Sequence, residues 1–233
     1  MKNFLFSLLC LLVVIGCEAP VLTYDPINIS LYTEGTKQIT TNAVDATFSI
    51  KDDYFATVSS TGLVTANKVG KTEVVINSSY GPGSVNVDVI PQYILYPDLD
   101  NLIGKGVSDM ESVMGTSYKE STTSKGETMY TYENPTSYCK GIGFTFSGSS
   151  CKSIAVYVPT NHTTKITKAL IERYTVAGVQ NDVYLFLNHG ENVLIGLTVY
   201  NYAYIGVAYV AYSKSTADPC DLLIEGDYEM LLE

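Results

Sequence analysis

The stretch "IGLTVYNYAYIGVAYVAY", residues 195–212, decides how the second half of the chain is read. Period-two alternation sets Ile195, Leu197 and Val199 on one side, with Thr198, Tyr200, Tyr202 and Tyr204 on the other. After a turn, Ile205, Val207 and Tyr209 oppose Gly206, Ala208 and Val210. A strand with one wet face should alternate apolar with polar residues, yet almost nothing here is charged. The pattern poses the question of what covers the second face.

The same pattern occurs once before. "MYTYEN" (129–134) matches "VYLFLN" (183–188) at an offset of 54, "IGFTF" (142–146) matches "IGLTV" (195–199) at 53, and "SIAVYV" (153–158) matches "YIGVAY" (204–209) at 51. Drifting offsets are what a duplication with altered turn lengths leaves behind. Each strand triplet follows a helical pattern. The first opens on Ser108-Asp109-Met110-Glu111, a capping box, and stops at Gly115. The second starts near Thr164 and places Ile166, Ala169, Leu170 and Tyr174 on one face. Residues 98–212 thus read as an α+β domain built from a tandem α-β-β-β repeat with one antiparallel sheet. Two short helices cover one face. Gly143, Gly196, Gly206 and Ala208 let a helix or the opposite chain approach closely. The other face is expected to stay partly open and to carry Tyr130, Tyr132, Tyr200, Tyr202, Tyr204 and Tyr212 as candidate binding residues. The alternative is that these rings pack under loops or against the first domain.

Residues 25–90 carry short strands bounded by Gly, Asp or Asn, spaced as in a β-sandwich. Within them, "FSIKDDYFATVSSTGLVTANKVGKTEVVI" places an aromatic at Phe48, then Ala56 and Val58, Gly62 and Val64, and Gly70. This spacing resembles the bacterial Ig-like domain of group 2, whose aromatic is usually Trp. The resemblance implies an all-β Ig-like sandwich of a kind used as spacers or modules of surface and adhesive proteins. Residues 91–97, rich in proline and tyrosine, read as a linker. The following "LIGKGVSDMESVMGTSY" is similar to the helical entry of the β-lactamase-inhibitor-protein-like fold, which includes the small lipoprotein of the outer-membrane barrel-assembly machinery. Leu102, Ile103, Gly104, Lys105, Val113, Gly115 and Tyr118 stand in matching places; Val107 is inserted and Ser117 replaces a proline. That resemblance implies a domain that binds proteins and is not an enzyme.

The first residues read as a targeting segment, with Lys2 ahead of an apolar run from Phe4 to Ile15 that is too short to span a bilayer. "VIGC" (14–17) resembles the lipobox of bacterial lipoproteins. The resemblance implies a signal peptide over residues 1–16, lipid on the Cys17 thiol, and a tether over 17–24. Glu18, where many inner-membrane lipoproteins carry Asp, favours an outer-membrane lipoprotein facing the periplasm or the cell surface.

The chain has 14 basic and 24 acidic residues, a net charge of −10, and no basic patch, which argues against nucleic acid. Residues 213–233 form an acidic tail with six acidic residues against Lys214; its Leu222-Leu223-Ile224 and Leu231-Leu232 leave room for a docked last element. Of the cysteines, Cys10 leaves with the signal, and Cys139, Cys151 and Cys220 remain in an oxidising compartment. Cys139 and Cys151 are the candidate disulfide, although a tight turn at residues 148–150 would set Cys151 opposite about Ser147. His162 and His189 sit at a helix start and a turn, and nothing has metal-ligand spacing. No nucleophile elbow, zinc motif, phosphate loop or converging carboxylate pair is present, so the reading is of a non-catalytic protein with no cofactor. The expected partners are the membrane, through the lipid, and an unknown envelope or extracellular protein. Glycan binding through the tyrosines, near Asn188, Asn192 and Asn201, and a purely structural scaffold are the alternatives.

Overall fold

The short runs of the first 90 residues form two facing sheets in the computed structural model, which describes residues 19–213. The strands are β1 (Tyr24–Asp25), β2 (Asn28–Leu31), β3 (Thr36–Gln38), β4 (Thr40–Thr41), β5 (Thr47–Ile50), β6 (Ala56–Val58), β7 (Leu63–Ala66), β8 (Gly70–Ser78) and β9 (Gly81–Val89). One sheet has the order β2-β9-β8-β5, the other β3-β7-β6, and β1 pairs with β4. β2 runs parallel to β9, while the other pairs are antiparallel. Ile29, Ile39, Val64, Val74, Ile76, Val85 and Val87 fill the space between. Phe48 packs against that core and over Gly62, whose φ of +84° suits glycine and where an added Cβ would lie 2.9 Å from the ring. The ring therefore does the plugging expected of the aromatic at this position.

The second half is one eight-stranded antiparallel sheet. After a 3₁₀ turn at Asp100–Leu102 come α1 (Val107–Met114), β10 (Lys119–Thr122), β11 (Thr128–Thr136), β12 (Cys139–Ser147) and β13 (Ser150–Pro159). A second 3₁₀ turn, Thr160–His162, leads into α2 (Thr163–Ile171), β14 (Thr175–Gln180), β15 (Val183–Leu187), β16 (Val193–Val199) and β17 (Tyr204–Ala211). The order β10-β11-β12-β13-β17-β16-β15-β14 places two meanders back to back, with the last strand of each unit paired at the centre. The three matched segments fall on β11 and β15, β12 and β16, and β13 and β17. Each unit has four strands rather than three; the additional ones, β10 and β14, are the sheet's edges.

Both helices lie on one face. Met110, Ile166, Ala169 and Leu170 pack on Ile142, Phe144, Val156, Ile195, Val207 and Tyr209. The second helix presents the four residues expected, since Ile166, Ala169, Leu170 and Tyr174 are all buried. The first starts earlier than the Ser108 box. Gly106 is its N-cap, and its N–H donates to Asp109 Oδ2 at 3.1 Å. Gly115, with φ +79°, ends it.

The candidate disulfide is absent. Cys139 and Cys151 are both free and buried. Register separates them: Cys151 pairs with Phe146, seven residues along β12 from Cys139, which at about 3.4 Å per residue puts the thiols at opposite ends of the hairpin. Cys139 Sγ–H lies 3.5 Å from both Gly141 O and Tyr157 O, and burial pushes both thiols up to about 12. The signal segment, Cys17, Cys220 and the acidic segment beyond Ser213 lie outside the described residues.

The Ig-like domain docks on the end of α2. A helix C-terminus leaves carbonyls without intrahelical partners. Here Lys68 Nζ donates to Ile171 O at 2.6 Å, Val69 N–H to Glu172 O at 2.7 Å, and Tyr54 O–H to Arg173 O at 2.8 Å. The linker is fixed to the same point. Buried Glu172 accepts from the N–H groups of Gln92 and Tyr93, both at 3.0 Å, and from Arg173, which also pairs with Asp98 at 2.7 Å. Leu95 and Tyr96 continue into the core of the second domain.

Candidate functional site

Pairing register lays out in transverse rows the face that points away from both helices; the sequence reading left it partly open, yet Leu194, Ala208, Thr145, Tyr157, Leu185 and Val210 on it are all buried. The middle row reads Thr131, Gly143, Ala155, Ala208, Gly196, Leu185 and Gly178, one residue from each of seven neighbouring strands. Five of the seven are Gly or Ala. On one side runs Met129, Thr145, Ser153, Val210, Leu194, Leu187 and Thr175. On the other run Glu133, Gly141, Tyr157, Gly206 and Thr198. Small residues in register across a sheet make a trough, because side chains on a face stand roughly perpendicular to it. Tyr157 and Tyr200 form one wall with ring centroids 5.2 Å apart and planes at 89°. Burial pushes the Tyr157 hydroxyl up to about 12.

The six tyrosines proposed from sequence divide between the two faces. Tyr200 and Tyr204 stand half-buried at the β16–β17 turn on the open side, and Tyr212, also half-buried, packs with Leu194 and Val210. Tyr202 is at the turn tip, fully exposed. Tyr130 and Tyr132 are not on this face. They pair with Phe144 and Ile142, whose side chains point to the helices. There Tyr118, Tyr130 and Tyr132 pack edge to face with Phe146 and Phe144, and Tyr132 O–H donates to Gly115 O at 2.6 Å. Burial pushes the Tyr132 hydroxyl up to about 12. These two therefore lie on the helix side and not on the face expected from sequence. Tyr157 is the ring the sequence reading missed. Its signal lies in "SIAVYVP" (153–159), where alternation puts Tyr157 with Ser153 and Ala155, opposite Ile154, Val156 and Val158.

A concavity lies at the domain junction. It measures about 490 Å³ and is lined by Tyr54, Phe55, Asp100, Asn188, His189 and Asn192, among others. Asp100 Oδ1 accepts from Tyr174 O–H at 3.2 Å and Oδ2 from Asn188 Nδ2 at 3.4 Å, and burial raises its carboxyl above the usual range. His189 Nε2 lies 2.9 Å from Asp52 Oδ2 and its ring stacks on Tyr54, centroids 4.3 Å apart. These two turn residues, separate in the sequence, therefore join the domains. Among the described residues, this concavity holds no nucleophile beside a general base. Among the described residues no group of three His, Cys, Asp or Glu could hold a metal. No described helix is long and apolar enough to cross a membrane.

Comparison with curated proteins finds no match. Among solved structures, the crystal structure of an EHEC O157:H7 intimin mutant is similar at 14% identity, covering 56% of this chain and 88% of its own, with a TM-score of 0.25. Domains 5-6 of the S-layer protein SbsC are similar at 13% identity, covering 85% of this chain and 88% of their own, also with a TM-score of 0.25. Residues 32–89, which hold the Phe48–Gly62 plug and most of the sandwich core, match the family model of the bacterial Ig-like domain (group 2).

Proposed function

We propose that this is a non-catalytic, lipid-anchored protein of the bacterial cell envelope whose Ig-like domain is a spacer and whose sheet domain binds a segment of another protein in the trough. One observation carries the reading: Gly143, Ala155, Ala208 and Gly196 line up in register across four central strands. A sheet that needed only to pack would have large residues there, as its helix face does. Small residues across a sheet admit a polypeptide at close range, and Tyr157, Tyr200 and Tyr204 supply rigid amphipathic walls. The rings at 89° do not present the coplanar platform that stacking on sugars uses. The group 2 Ig-like domain, the apolar run ending in Cys17 and the docking on α2 support an anchored spacer that holds the sheet at a fixed attitude.

A photo-crosslinking amino acid at Ala155 in growing cells tests the reading. The expected result is an adduct between this chain and one other envelope protein, not seen with the same probe at Val113 on exposed α1 surface. Absence of any intermolecular adduct from position 155 would overturn it.

A further inference from the structure

We propose that the chain associates with a second copy of itself through β14, which pairs with the β14 of that copy. The pairing is antiparallel about a two-fold axis between Ala177 and Gly178, and it joins the two eight-stranded sheets edge to edge. The inference stands apart from the trough reading, since β14 lies at the rim of the sheet, four strands from the β13 that carries Ala155.

A sheet edge presents a row of backbone N–H and C=O groups that template a further strand unless something blunts it. The two edges of this sheet differ in that respect. β10, "KEST", carries Lys119 and Glu120, and Lys119 pairs with Glu133 on the neighbouring strand at 2.6 Å. A chain laid along it would meet charges. β14, "TVAGVQ", has no charge in six residues, and no described strand lies beyond it. It is held as half of a hairpin by the two-residue turn Asn181-Asp182, with φ of +50° and +63°. Thr175, Val176, Ala177 and Val179 are exposed. At Gly178, with φ +149°, nothing lies within 4 Å of the place a Cβ would take, so another backbone can approach closely.

The bulge decides the partner. In a regular strand residues 176 and 179 would point to opposite faces, because side chains alternate. Here the register shifts between Val176 and Gly178. Val176 pairs with Phe186, and Val179 with Tyr184, which pairs in turn with Leu197. Phe186 and Leu197 both belong to the helix-side core, so the two valines stand on that same side. They are 54% and 60% exposed, next to Tyr184 at 54%, at a corner that α2 leaves uncovered. The two-fold axis sets each Val176 opposite the Val179 of the other copy. Residues opposite one another in an antiparallel pair share a face, a condition that the bulge meets and a regular strand would not. Four valines, flanked by two Tyr184 rings, then cover one another. Bulges commonly blunt an edge; this one makes the edge self-complementary, as an isologous interface requires.

A six-residue strand pair with one apolar cluster is a small interface, and small interfaces are weak. The purified full chain in detergent is therefore followed by sedimentation up to about 0.5 mM. The expected result is a reversible monomer–dimer equilibrium. Val176→Lys and Val179→Glu, both at exposed positions, should each weaken it at least ten-fold with an unchanged circular dichroism spectrum. In an equal mixture of these two variants, one cross-strand pair becomes Lys opposite Glu and the other stays Val opposite Val. The mixed dimer should therefore form at least ten-fold more tightly than the dimer of either variant alone. A chain that stays monomeric over the whole range overturns the proposal. So does a dimer that neither variant weakens, or a mixture that associates no better than its components.

Discussion

The two faces of the eight-stranded sheet solve the same problem with opposite side chains. Towards the helices stand Phe144, Phe146, Ile154, Val156, Ile195, Leu197, Val207 and Tyr209. On the other face the registered positions hold Gly143, Ala155, Gly206, Ala208 and Gly196. A helix packs on a sheet through its side chains, so large residues are needed to fill the gap between the two backbones. A floor of glycine and alanine fills nothing by itself. It is useful where something else brings its own bulk. The comparison teaches that two apolar faces of one sheet differ in bulk, and that difference is what the proposed binding role rests on.

The largest test of this contrast is Phe144→Ala, which empties the centre of the helix face and should cost about 3–5 kcal/mol in denaturant unfolding. Leu194→Ala probes the opposite side. Leu194 is buried, so the change should cost about 2–3 kcal/mol; a cost below about 0.5 kcal/mol would mean that the face is bare and would break the comparison. Tyr132→Phe removes a buried hydroxyl that donates to Gly115 O. It should cost about 1 kcal/mol and leave the Ala155 adduct unchanged, since the ring serves the helix side. Tyr202→Ala, at an exposed turn tip, should move the unfolding midpoint by no more than about 0.5 kcal/mol equivalent. Any loss of partner capture with that variant would extend the site beyond the trough to the turn.

The repeat was legible because β11, β12 and β13 and their counterparts are long, alternating and apolar on at least one side. The edge strands were not. β10 reads "KEST" and is exposed throughout, and β14 is mostly exposed with a bulge between Val176 and Gly178, so neither has a buried face to impose alternation. The Ig-like domain was legible because Phe48 and Gly62 must meet, which ties two residue types to one spacing. The two tyrosines that fell on the helix side show the limit of period two. "MYTYEN" alternates Met129 and Thr131 with Tyr130 and Tyr132, and only pairing with Phe144 and Ile142 tells which set faces the helices. The domain junction left no trace at all. Tyr54, Lys68 and Val69 meet residues more than 100 positions away through carbonyls and hydroxyls, to which pattern is blind.

The bonds from Lys68, Val69 and Tyr54 to three successive carbonyls at the end of α2 carry a mechanical consequence. A tensile load applied at the N-terminal end reaches the second domain along two routes at once, through the covalent connection and through this triple clasp. Loads shared in parallel are borne without bending at the joint. The pair of domains therefore behaves as a strut rather than a hinge, and the attitude of the sheet to the Ig-like domain is set by the clasp instead of by the linker alone.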